Sequence, residues 1–536
     1  MQPRIKKIKT KRKSVKAFKG VCLRETVPDG YFQDAENMSS RSYPAVYQRP
    51  VRSKFENCAG VGSMYHHGEM VWTWGRYLFY GKVRVGEVIP GDKAYASLGA
   101  YVVIYPDKKI LNTDTLELTD MEQETAVSSA VVSPSNADGT DGEETNYVKI
   151  AANGIGVGFL PGDGVRISGL DDAGIGGSYL LQTVTDDFLV VIAHRTDSTE
   201  ITGDIRVLRK APDLDFICAL GNRIWGCSNT TREVRACRLG DPTNWEVFQG
   251  ISTDSYAAVV PSPGVFTGCA EFMGTVIFFK EEEIIKLFGS KPSNFELSAS
   301  RMPGVEMGAS ASIAFSNSVL FYKGLLGVYT YDGSVPVLIS DMLGWGRYAY
   351  GTAGAVDGRY YISMLDREMA KYRLFVYDTP TGSWHIENGG RIRFFACTGS
   401  DLYMAGADGN IYAVNGAGLW FDSEGAELSW DHLQELYFNW YAVTGPIALC
   451  APDRQYVSCI HIRFSMKKEA RLTIAVRYQG ERDFFDIARF ASPVDEFTCT
   501  IPVQARRADS ICLKLYGRGD CIITGIAHTY ESGSDF

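Results

Sequence analysis

Seven histidines and twelve cysteines are the side chains of this 536-residue chain that most readily bind metals or act as nucleophiles. His66 and His67 could hold a metal, but adjacent residues of a strand point to opposite faces of their sheet. His461 lies in the apolar run CIHIRF, which indicates packing. The sequence contains no nucleophile elbow, no phosphate-binding loop and no cysteine or histidine pair spaced for zinc. We therefore predict no catalytic residue, no metal site and no bound cofactor, and we do not expect an enzyme.

Two further motifs have a chemical interpretation and a simpler structural one. The acidic stretch NADGTDGEE, residues 136–144, lacks the alternating ligands and final glutamate of a calcium loop, so we expect an exposed loop. The tetrapeptide GRGD, residues 517–520, matches an integrin-adhesion motif, but its glycines between two apolar runs favour a hairpin turn. The cysteines are scattered through apolar runs, which favours reduced, buried thiols in a chain that folds in a cytosol.

Charge is distributed unevenly along the chain. The first 20 residues contain nine basic residues and no acidic one, whereas the whole chain carries −9, so the remainder carries −18. A segment this basic cannot bury a core, and we predict that residues 1–20 form an arm that is disordered in the isolated protein. Its alternatives are a solvated tail that only aids solubility and an arm that touches DNA. The residues predicted to dock this arm on a partner are Arg4, Lys6, Lys7, Lys9, Lys11, Arg12, Lys13 and Lys16.

A repeated sequence pattern indicates the fold that positions these side chains. Residues 235–248, 284–297 and 374–386 each combine an apolar run, a turn with Pro and Ser or Thr, an aromatic residue and a short alternating run. A small polar turn and a strand-like run stand upstream of each, and such units recur about every 40 to 50 residues. Asp-Gly pairs between the runs are hairpin-turn signals. Trp245, Phe295 and Trp384 are expected to fill equivalent positions in these units.

Several short strands per unit at this period predict an all-β fold, a six- or seven-bladed β-propeller, rather than a β-sandwich with accidental internal likeness. The repeat stops between about residues 119 and 205, where strand-like runs and Gly-Asp turns predict an inserted small β-barrel. Alternating strands near the end predict a C-terminal β-sandwich. The predicted domains are a basic arm (1–20), the first part of the propeller (21–118), the barrel (119–205), the rest of the propeller (206–425), and a linker with the sandwich (426–536).

Two terminal stretches carry a resemblance to a known family. Residues 18–52, FKGVCLRETVPDGYFQDAENMSSRSYPAVYQRPVR, resemble the opening of propeller-type tail proteins of tailed bacteriophages. Residues 500–536, with a Pro-containing strand, an Arg-Arg turn, a strand, a Gly-x-Gly turn and a last strand, look like the closing domain of those proteins. The barrel around residues 162–163 is similar to a small domain that some members carry.

The resemblance implies a structural virion protein of a bacteriophage tail or neck, similar to tail hub and nozzle proteins. Members of that family form rings, commonly of six copies, around the DNA channel, and they help to retain or conduct the genome during ejection. The implied partners are further copies of the chain, neighbouring tail, adaptor or portal-complex proteins, and double-stranded DNA in transit, with no membrane span. The implied location is the virion tail, after assembly in the host bacterial cytoplasm.

Two alternatives remain open at this stage. A tail-tip propeller could bind a host glycan by stacking sugars on Trp72, Trp74, Trp225 and Trp384, although these side chains could equally belong to the core of the blades. A sialidase is the enzymatic alternative, because the turn DPTNW, residues 241–245, resembles the aromatic-anchoring turns of sialidase blades. The residue order of the sialidase motif is missing, and no arginine cluster or tyrosine nucleophile can be assigned.

Overall fold

The computed structural model describes residues 10–57, 60–142, 145–407, 409–415, 435, 437–448, 455–503, 507–508 and 510–532. In these ranges the chain is built almost entirely of β-strands, with four short 3-10 helices at Asp171–Ala173, Pro292–Asn294, Ser310–Ser312 and Asp341–Leu343. It forms two compact units, here called the central unit (residues 62–307) and the terminal unit (residues 1–61 and 308–536). The predicted all-β class is confirmed.

The N-terminal region supplies five strands: β1 (Thr10–Val15), β2 (Phe32–Glu36), β3 (Met38–Ser39), β4 (Val46–Gln48) and β5 (Ser53–Asn57). Two four-stranded antiparallel sheets follow, each with its strands hydrogen-bonded in chain order. Blade 1 contains β6 (Val61–His67), β7 (Glu69–Trp74), β8 (Tyr77–Tyr80) and β9 (Val83–Glu87). Blade 2 contains β10 (Ala94–Leu98), β11 (Tyr101–Tyr105), β12 (Lys109–Asn112) and β13 (Glu117–Asp120).

A closed six-stranded barrel interrupts the series after blade 2, with the strand order β14-β15-β18-β17-β16-β19. Its strands are β14 (Gln123–Ser135), β15 (Thr145–Ala151), β16 (Gly164–Ser168), β17 (Gly177–Thr185), β18 (Phe188–Arg195) and β19 (Thr199–Arg209). Aliphatic side chains such as Val148, Leu189 and Val207 fill its interior and are fully buried. Closure leaves no free sheet edge, so a domain of this size can be inserted into a loop without exposing backbone groups to aggregation.

Five further blades follow the barrel, and they have the same local strand order. Blades 3 and 4 contain β20 (Phe216–Leu220), β21 (Arg223–Ser228), β22 (Glu233–Ala236) and β23 (Tyr256–Val259), then β24 (Gly268–Phe272), β25 (Thr275–Phe279), β26 (Glu283–Phe288) and β27 (Glu296–Arg301). Blades 5 and 6 contain β28 (Ala314–Ser316), β29 (Val319–Lys323), β30 (Val328–Tyr331) and β31 (Val337–Leu338), then β32 (Tyr348–Val356), β33 (Arg359–Asp366), β34 (Lys371–Asp378) and β35 (Ser383–Glu387).

Blade 7 is assembled from two distant parts of the chain. Its first three strands are β36 (Ile392–Cys397), β37 (Leu402–Gly406) and β38 (Asn410–Ala413), and its fourth is the N-terminal strand β5, which pairs with β38. The described residues form seven sheets of this kind, which confirms the predicted six- or seven-bladed β-propeller with its inserted barrel and C-terminal sandwich.

The repeated upstream turn of the sequence is the first hairpin of a blade. Blades 3, 4, 5 and 6 all connect their first two strands through two residues with positive φ, at 221–222, 273–274, 317–318 and 357–358. This is the geometry of a type I′ turn, whose twist matches that of the two strands it joins. Gly358 has a φ of +70°, and because glycine lacks a side chain it adopts this conformation without steric strain.

The aromatic residues of the repeated pattern differ in their burial. Trp245 is 1% exposed and lies in the long segment between β22 and β23, whereas Trp384 is 2% exposed and lies in β35, the fourth strand of blade 6. Phe295 directly precedes β27, the fourth strand of blade 4, and is only half-buried, with its ring edge-on to Trp225 at 5.1 Å between ring centroids. The expected equivalence is therefore wrong for Trp245, because Phe295 and Trp384 stand at the start of the fourth strand of their blades and Trp245 does not.

The two sheets of the C-terminal sandwich contain strands from both ends of the chain. Its C-terminal strands are β39 (Asn439–Thr444), β40 (Ile447–Ala448), β41 (Gln455–Met466), β42 (Arg471–Tyr478), β43 (Phe485–Phe490), β44 (Val494–Pro502), β45 (Arg507–Ala508), β46 (Ser510–Arg518) and β47 (Cys521–Ser532). One sheet has the order β3-β4-β47-β41-β44, with β1 also on β47 and β45 on β41, and the other has the order β2-β39-β46-β42-β43, with β40 on β46. Residues 21–52 were assigned to the propeller from the sequence, and this assignment is corrected because β2, β3 and β4 belong to the sandwich sheets.

The N-terminal segment also ties the sandwich to blade 6. The backbone N–H of Val21 donates to the carbonyl oxygen of Trp384 at 2.7 Å, and Asn37 donates likewise to Ile386 at 2.8 Å. Gly20 lies so close to blade 6 that a Cβ atom there would stand 2.2 Å from the Trp384 carbonyl oxygen. Within the terminal unit, sandwich and blade residues share one hydrophobic core.

Candidate interaction surface

The basic N-terminal segment contributes a strand to the sandwich. Residues 10–15 form β1, which pairs antiparallel with β47. The predicted disorder is therefore wrong for these residues, because a strand added to the edge of an existing sheet needs no core of its own. Among the predicted docking residues, Lys11, Arg12 and Lys13 lie in β1 and Lys16 follows it directly. The other four, Arg4, Lys6, Lys7 and Lys9, lie outside the described residues.

The inner face of β1 closes a small cavity in the sandwich. Lys13 Nζ lies 2.5 Å from Asp29 Oδ2, and in the strand ladder Lys13 is paired with His528 of β47. The cavity has a volume of about 40 Å³ and is lined mainly by apolar side chains, among them Val15, Phe18, Val27, Pro28, Ile447 and Ile526. His528 also lines it, is 3% exposed, and its Nε2 has no hydrogen-bond partner among the described residues. Burial, together with the Lys13 charge, lowers the pKa of His528 to about 4.

The outer face of β1 forms one wall of a shallow groove of about 190 Å³. Arg12, Ser14 and Lys16 stand on this wall, because alternate residues of a strand point to the same side. His461 and Arg463 of β41 form the opposite wall. The floor between the walls is β47, whose residues 525 and 527 are Gly and Ala. Small residues on the central strand thus leave room between two rows of longer polar side chains.

The wall on β41 is held in place by threonine hydroxyls. The two ring nitrogens of His461 lie 2.9 Å from Thr500 Oγ1 and 3.0 Å from Thr529 Oγ1. Burial lowers the pKa of His461, and the Arg12 charge lowers it further, so the imidazole is neutral at pH 7. Arg463 Nε donates to Thr498 Oγ1 at 3.2 Å. The groove therefore has a fixed neutral ring beside an arginine of defined orientation.

The positive charge of the groove is only partly compensated. Arg463 Nε lies 3.8 Å from Glu496 Oε1, and both side chains are largely exposed. Arg12 and Lys16 are exposed, and in the described part of the chain neither side chain makes a hydrogen bond or an ion pair. The chain as a whole is acidic, with a net charge of −9, so this local excess of cations contrasts with its surroundings. Sequence reasoning found Arg12 and Lys16 but took His461 for a packed residue and did not consider Arg463.

The GRGD motif is a turn, as expected, and its aspartate is engaged within the protein. It joins β46 to β47, with Gly519 at a φ of +71°. Asp520 accepts hydrogen bonds from the Tyr47 hydroxyl at 2.9 Å and from Gln48, and it lies 2.8 Å from Lys467 Nζ. Burial and the neighbouring carboxylate raise the pKa of Tyr47 to about 12. The motif therefore fastens β4 to the end of the sandwich.

The remaining residues with potential chemistry lie apart from one another. In the described ranges no group of three or more His, Cys, Asp or Glu side chains is placed to hold a metal ion, and every described cysteine is a free thiol. Within those ranges no helix has the length and apolar character needed to cross a bilayer. Of the four tryptophans considered for sugar stacking, Trp72, Trp225 and Trp384 are buried, and Trp74 is 51% exposed.

Comparison with known proteins gives structural likenesses of low similarity. The sequence matches no family model and no curated protein. An exo-β-1,3-galactanase from Phanerochaete chrysosporium is 10% identical, with 58% of this chain and 94% of that chain covered and a TM-score of 0.21. The phage phi92 endosialidase is 12% identical, with 72% and 57% covered and a TM-score of 0.17. A bifunctional GH43-CE protein of Bacteroides eggerthii is 10% identical, with 61% and 63% covered and a TM-score of 0.21.

The prediction that the chain is not an enzyme is wrong in the light of these matches, because glycoside hydrolases and an endosialidase are among the similar structures. The absence of a recognisable sequence motif therefore did not justify excluding an enzyme, because function depends on the arrangement of side chains at a site. At these TM-scores the likenesses assign no role to any residue of this chain.

Proposed function

We propose that the protein is a structural component of a bacteriophage virion, in the tail or neck, similar to hub and nozzle proteins. In this role several copies, six by the family resemblance, form a ring around the DNA channel that extends the tail and helps to retain or conduct the genome. The protein assembles in the host bacterial cytoplasm and contacts neighbouring tail, adaptor or portal-complex proteins.

The observation that carries this proposal is the joining of the two stretches that resemble phage tail proteins. Residues 18–52 and 500–536 stand at opposite ends of the sequence, yet their strands share both sheets of one sandwich. Val46 of β4 pairs with Ile523 of β47, and Tyr47 pairs with Ile522. Two resemblances that were independent in sequence thus belong to one domain, as they would if both came from the same ancestral fold.

Electrostatics agrees with passage of DNA through such a ring. The chain without its first 20 residues carries −18, and acidic side chains do not bind phosphate. A lumen rich in lysine and arginine would hold the duplex, because each phosphate contact releases counterions and adds affinity. An acidic ring lets the DNA slide, while the basic groove of the sandwich is available for contacts between proteins.

The alternative function, recognition of a host glycan by tryptophans of the blades, has less support. Three of its four tryptophans are buried and contribute to packing within the protein. Trp225, for example, packs edge-on against Phe295, and the indole N–H of Trp384 donates to the carbonyl oxygen of Ile339 at 2.9 Å. These side chains cannot stack on a sugar without unfolding their blades.

Imaging of particles tests the proposal. The protein would be produced during infection with a small C-terminal tag, and purified virions would be examined by cryo-electron microscopy with and without a tag-specific antibody fragment. We expect a ring of density on the tail axis, decorated by the fragment. A protein absent from virions would refute the structural role, and decoration of peripheral fibres would support the glycan-binding alternative.

A further inference from the structure

We propose that the groove between β1 and β41 is a binding site for an extended, carboxylate-rich polypeptide segment of a neighbouring protein. The identity of that neighbour as a virion protein rests on the proposed function, whereas the chemistry of the site does not. The occupant lies along β1, with its acidic side chains between Arg12 and Lys16 on one wall and Arg463 on the other.

The position of β1 in its sheet provides the first argument. β1 and β41 flank β47, so the side chains on their outer faces form two walls with β47 between them. An extended segment in the groove therefore contacts side chains of β1 and β41, whereas the backbone edge of β1 that pairs with no described strand faces away from the groove. Lysine-rich edge strands also occur as protection against unwanted pairing, and this protective role is the simpler interpretation that a test must exclude.

The spacing of the cations provides the second argument. Residues 12, 14 and 16 of an extended strand lie on one side at intervals of roughly 6.7 Å, the two-residue repeat of a β-strand. A partner strand has the same repeat, so acidic side chains at every second or fourth position meet the cations in register. The guanidinium groups of Arg12 and Arg463 can each bind a carboxylate through two parallel N–H donors.

The shape of the groove favours a peptide over a DNA duplex. Its floor of Gly525 and Ala527 is bounded on both sides, and its volume of about 190 Å³ accommodates a few side chains. A duplex is roughly 20 Å wide and binds most readily to convex elements or broad clefts, as the dimensions of its own grooves require. The Thr498 hydroxyl accepts from Arg463 and keeps its own hydrogen for a carboxylate oxygen, whereas the Thr524 hydroxyl donates to the carbonyl oxygen of Arg463.

Binding measurements on the full-length protein test the site. The probes are a ten-residue oligoglutamate peptide, inorganic phosphate and a 20-base-pair DNA duplex, each titrated at low and at physiological salt. We expect the peptide to bind best and to bind more weakly as salt is added, because exposed charges are screened over about 8–10 Å. The double variant Arg12→Gln/Lys16→Gln should bind the peptide roughly tenfold more weakly, as two exposed ion pairs of about 0.5–1 kcal/mol each would give.

A matched control separates local contact from overall charge. The double variant Lys82→Gln/Arg166→Gln removes one lysine and one arginine that are exposed on blade 1 and on the barrel, and it should leave peptide binding unchanged. The imidazole of His461 gives a second readout, because Arg12 lowers its pKa. An acidic peptide in the groove should raise the pKa of His461, as measured by NMR of labelled histidine, and Arg12→Gln should raise it without any ligand.

The possible outcomes distinguish the alternatives. DNA binding that is lost in the Arg12→Gln/Lys16→Gln variant, without peptide binding, would overturn the proposal in favour of a DNA contact. Absence of binding by all probes would also overturn it and leave the cations as protection of a strand edge. If the protein binds the peptide but imaging does not find it on the tail axis, the groove remains a binding site and the proposed function is refuted. Placement of the protein on the tail axis without peptide binding would support the proposed function and refute the groove as a binding site.

Discussion

Acid should release the N-terminal strand from the sandwich through protonation of His528. This imidazole faces Lys13 and Asp29 and lies near Tyr530, with 5.8 Å between ring centroids. In the closed strand its pKa is about 4, whereas in the open strand we take the ordinary value of 6.5. The open state therefore binds the proton more tightly, and the stability that is present above pH 6.5 is lost as the pH falls toward 4.

The size of this effect follows from the two pKa values. At pH 5 the open state is almost fully protonated at this site and the closed state is about one-tenth protonated. The difference in proton binding lowers the free energy of opening by about 1.8 kcal/mol relative to pH 7, which corresponds to an opening equilibrium about 20-fold larger. No comparable change is expected between pH 7 and pH 9.

Hydrogen exchange measures this opening directly. Amide exchange in the peptide that covers residues 10–16 would be followed by mass spectrometry at pH 7 and pH 5 and corrected for the intrinsic rates. The variant His528→Phe should lose most of the roughly 20-fold response, whereas His194→Phe on the exposed surface of the barrel should keep it. An equal acid response in the protein and in His528→Phe would refute the reasoning, since the proton would then act elsewhere.

Three further substitutions test the packing of the fold by urea unfolding. Trp245→Ala should lower the free energy of unfolding by roughly 3–5 kcal/mol, and Phe295→Ala by clearly less because its ring is half-buried; equal losses would contradict the difference in burial. Lys93→Met should cost about 3–5 kcal/mol because it leaves the Asp107 carboxylate, 2.6 Å from the lysine and fully buried, without its counter-charge; adding Asp107→Leu should recover most of the loss. Gly20→Ala should destabilise the sandwich severely, since its Cβ would overlap a carbonyl oxygen of blade 6 and its φ is +80°, and a variant with unchanged unfolding would disprove that close approach.

The propeller could be predicted from the sequence because its evidence is local. Each blade consists of neighbouring strands, and the turns at 273–274 and 357–358 have their own sequence signals. The composition of the sandwich could not be predicted in the same way, because β2 pairs with β39 across about 400 residues and no local pattern records that pairing. Long-range pairing is visible only when the complete fold is known.

The candidate groove was predicted only in part. A run of basic residues pointed to Arg12 and Lys16 as binding residues, but composition also predicted disorder, and the existing edge of β47 overrides that expectation. The opposite wall had a usable signal in the alternation of β41, where Ile460, Ile462 and Phe464 are buried and the residues between them are not. Period-two alternation places His461 and Arg463 on the outer face.

The division of blade 7 and the sandwich between the two ends of the chain determines when the protein can finish folding during synthesis. The central unit is continuous, so all of its strands have been synthesised once residue 307 is added. The strands β1 to β5 are made first, yet their partners β38, β39 and β47 are made last. About 50 residues of the nascent chain must therefore wait, without their partners, for most of the roughly half-minute or longer that translation of this chain takes at about 5–20 residues per second. Unpaired strands are prone to aggregation, and the cations of β1 would repel the same strand of other nascent chains during this interval.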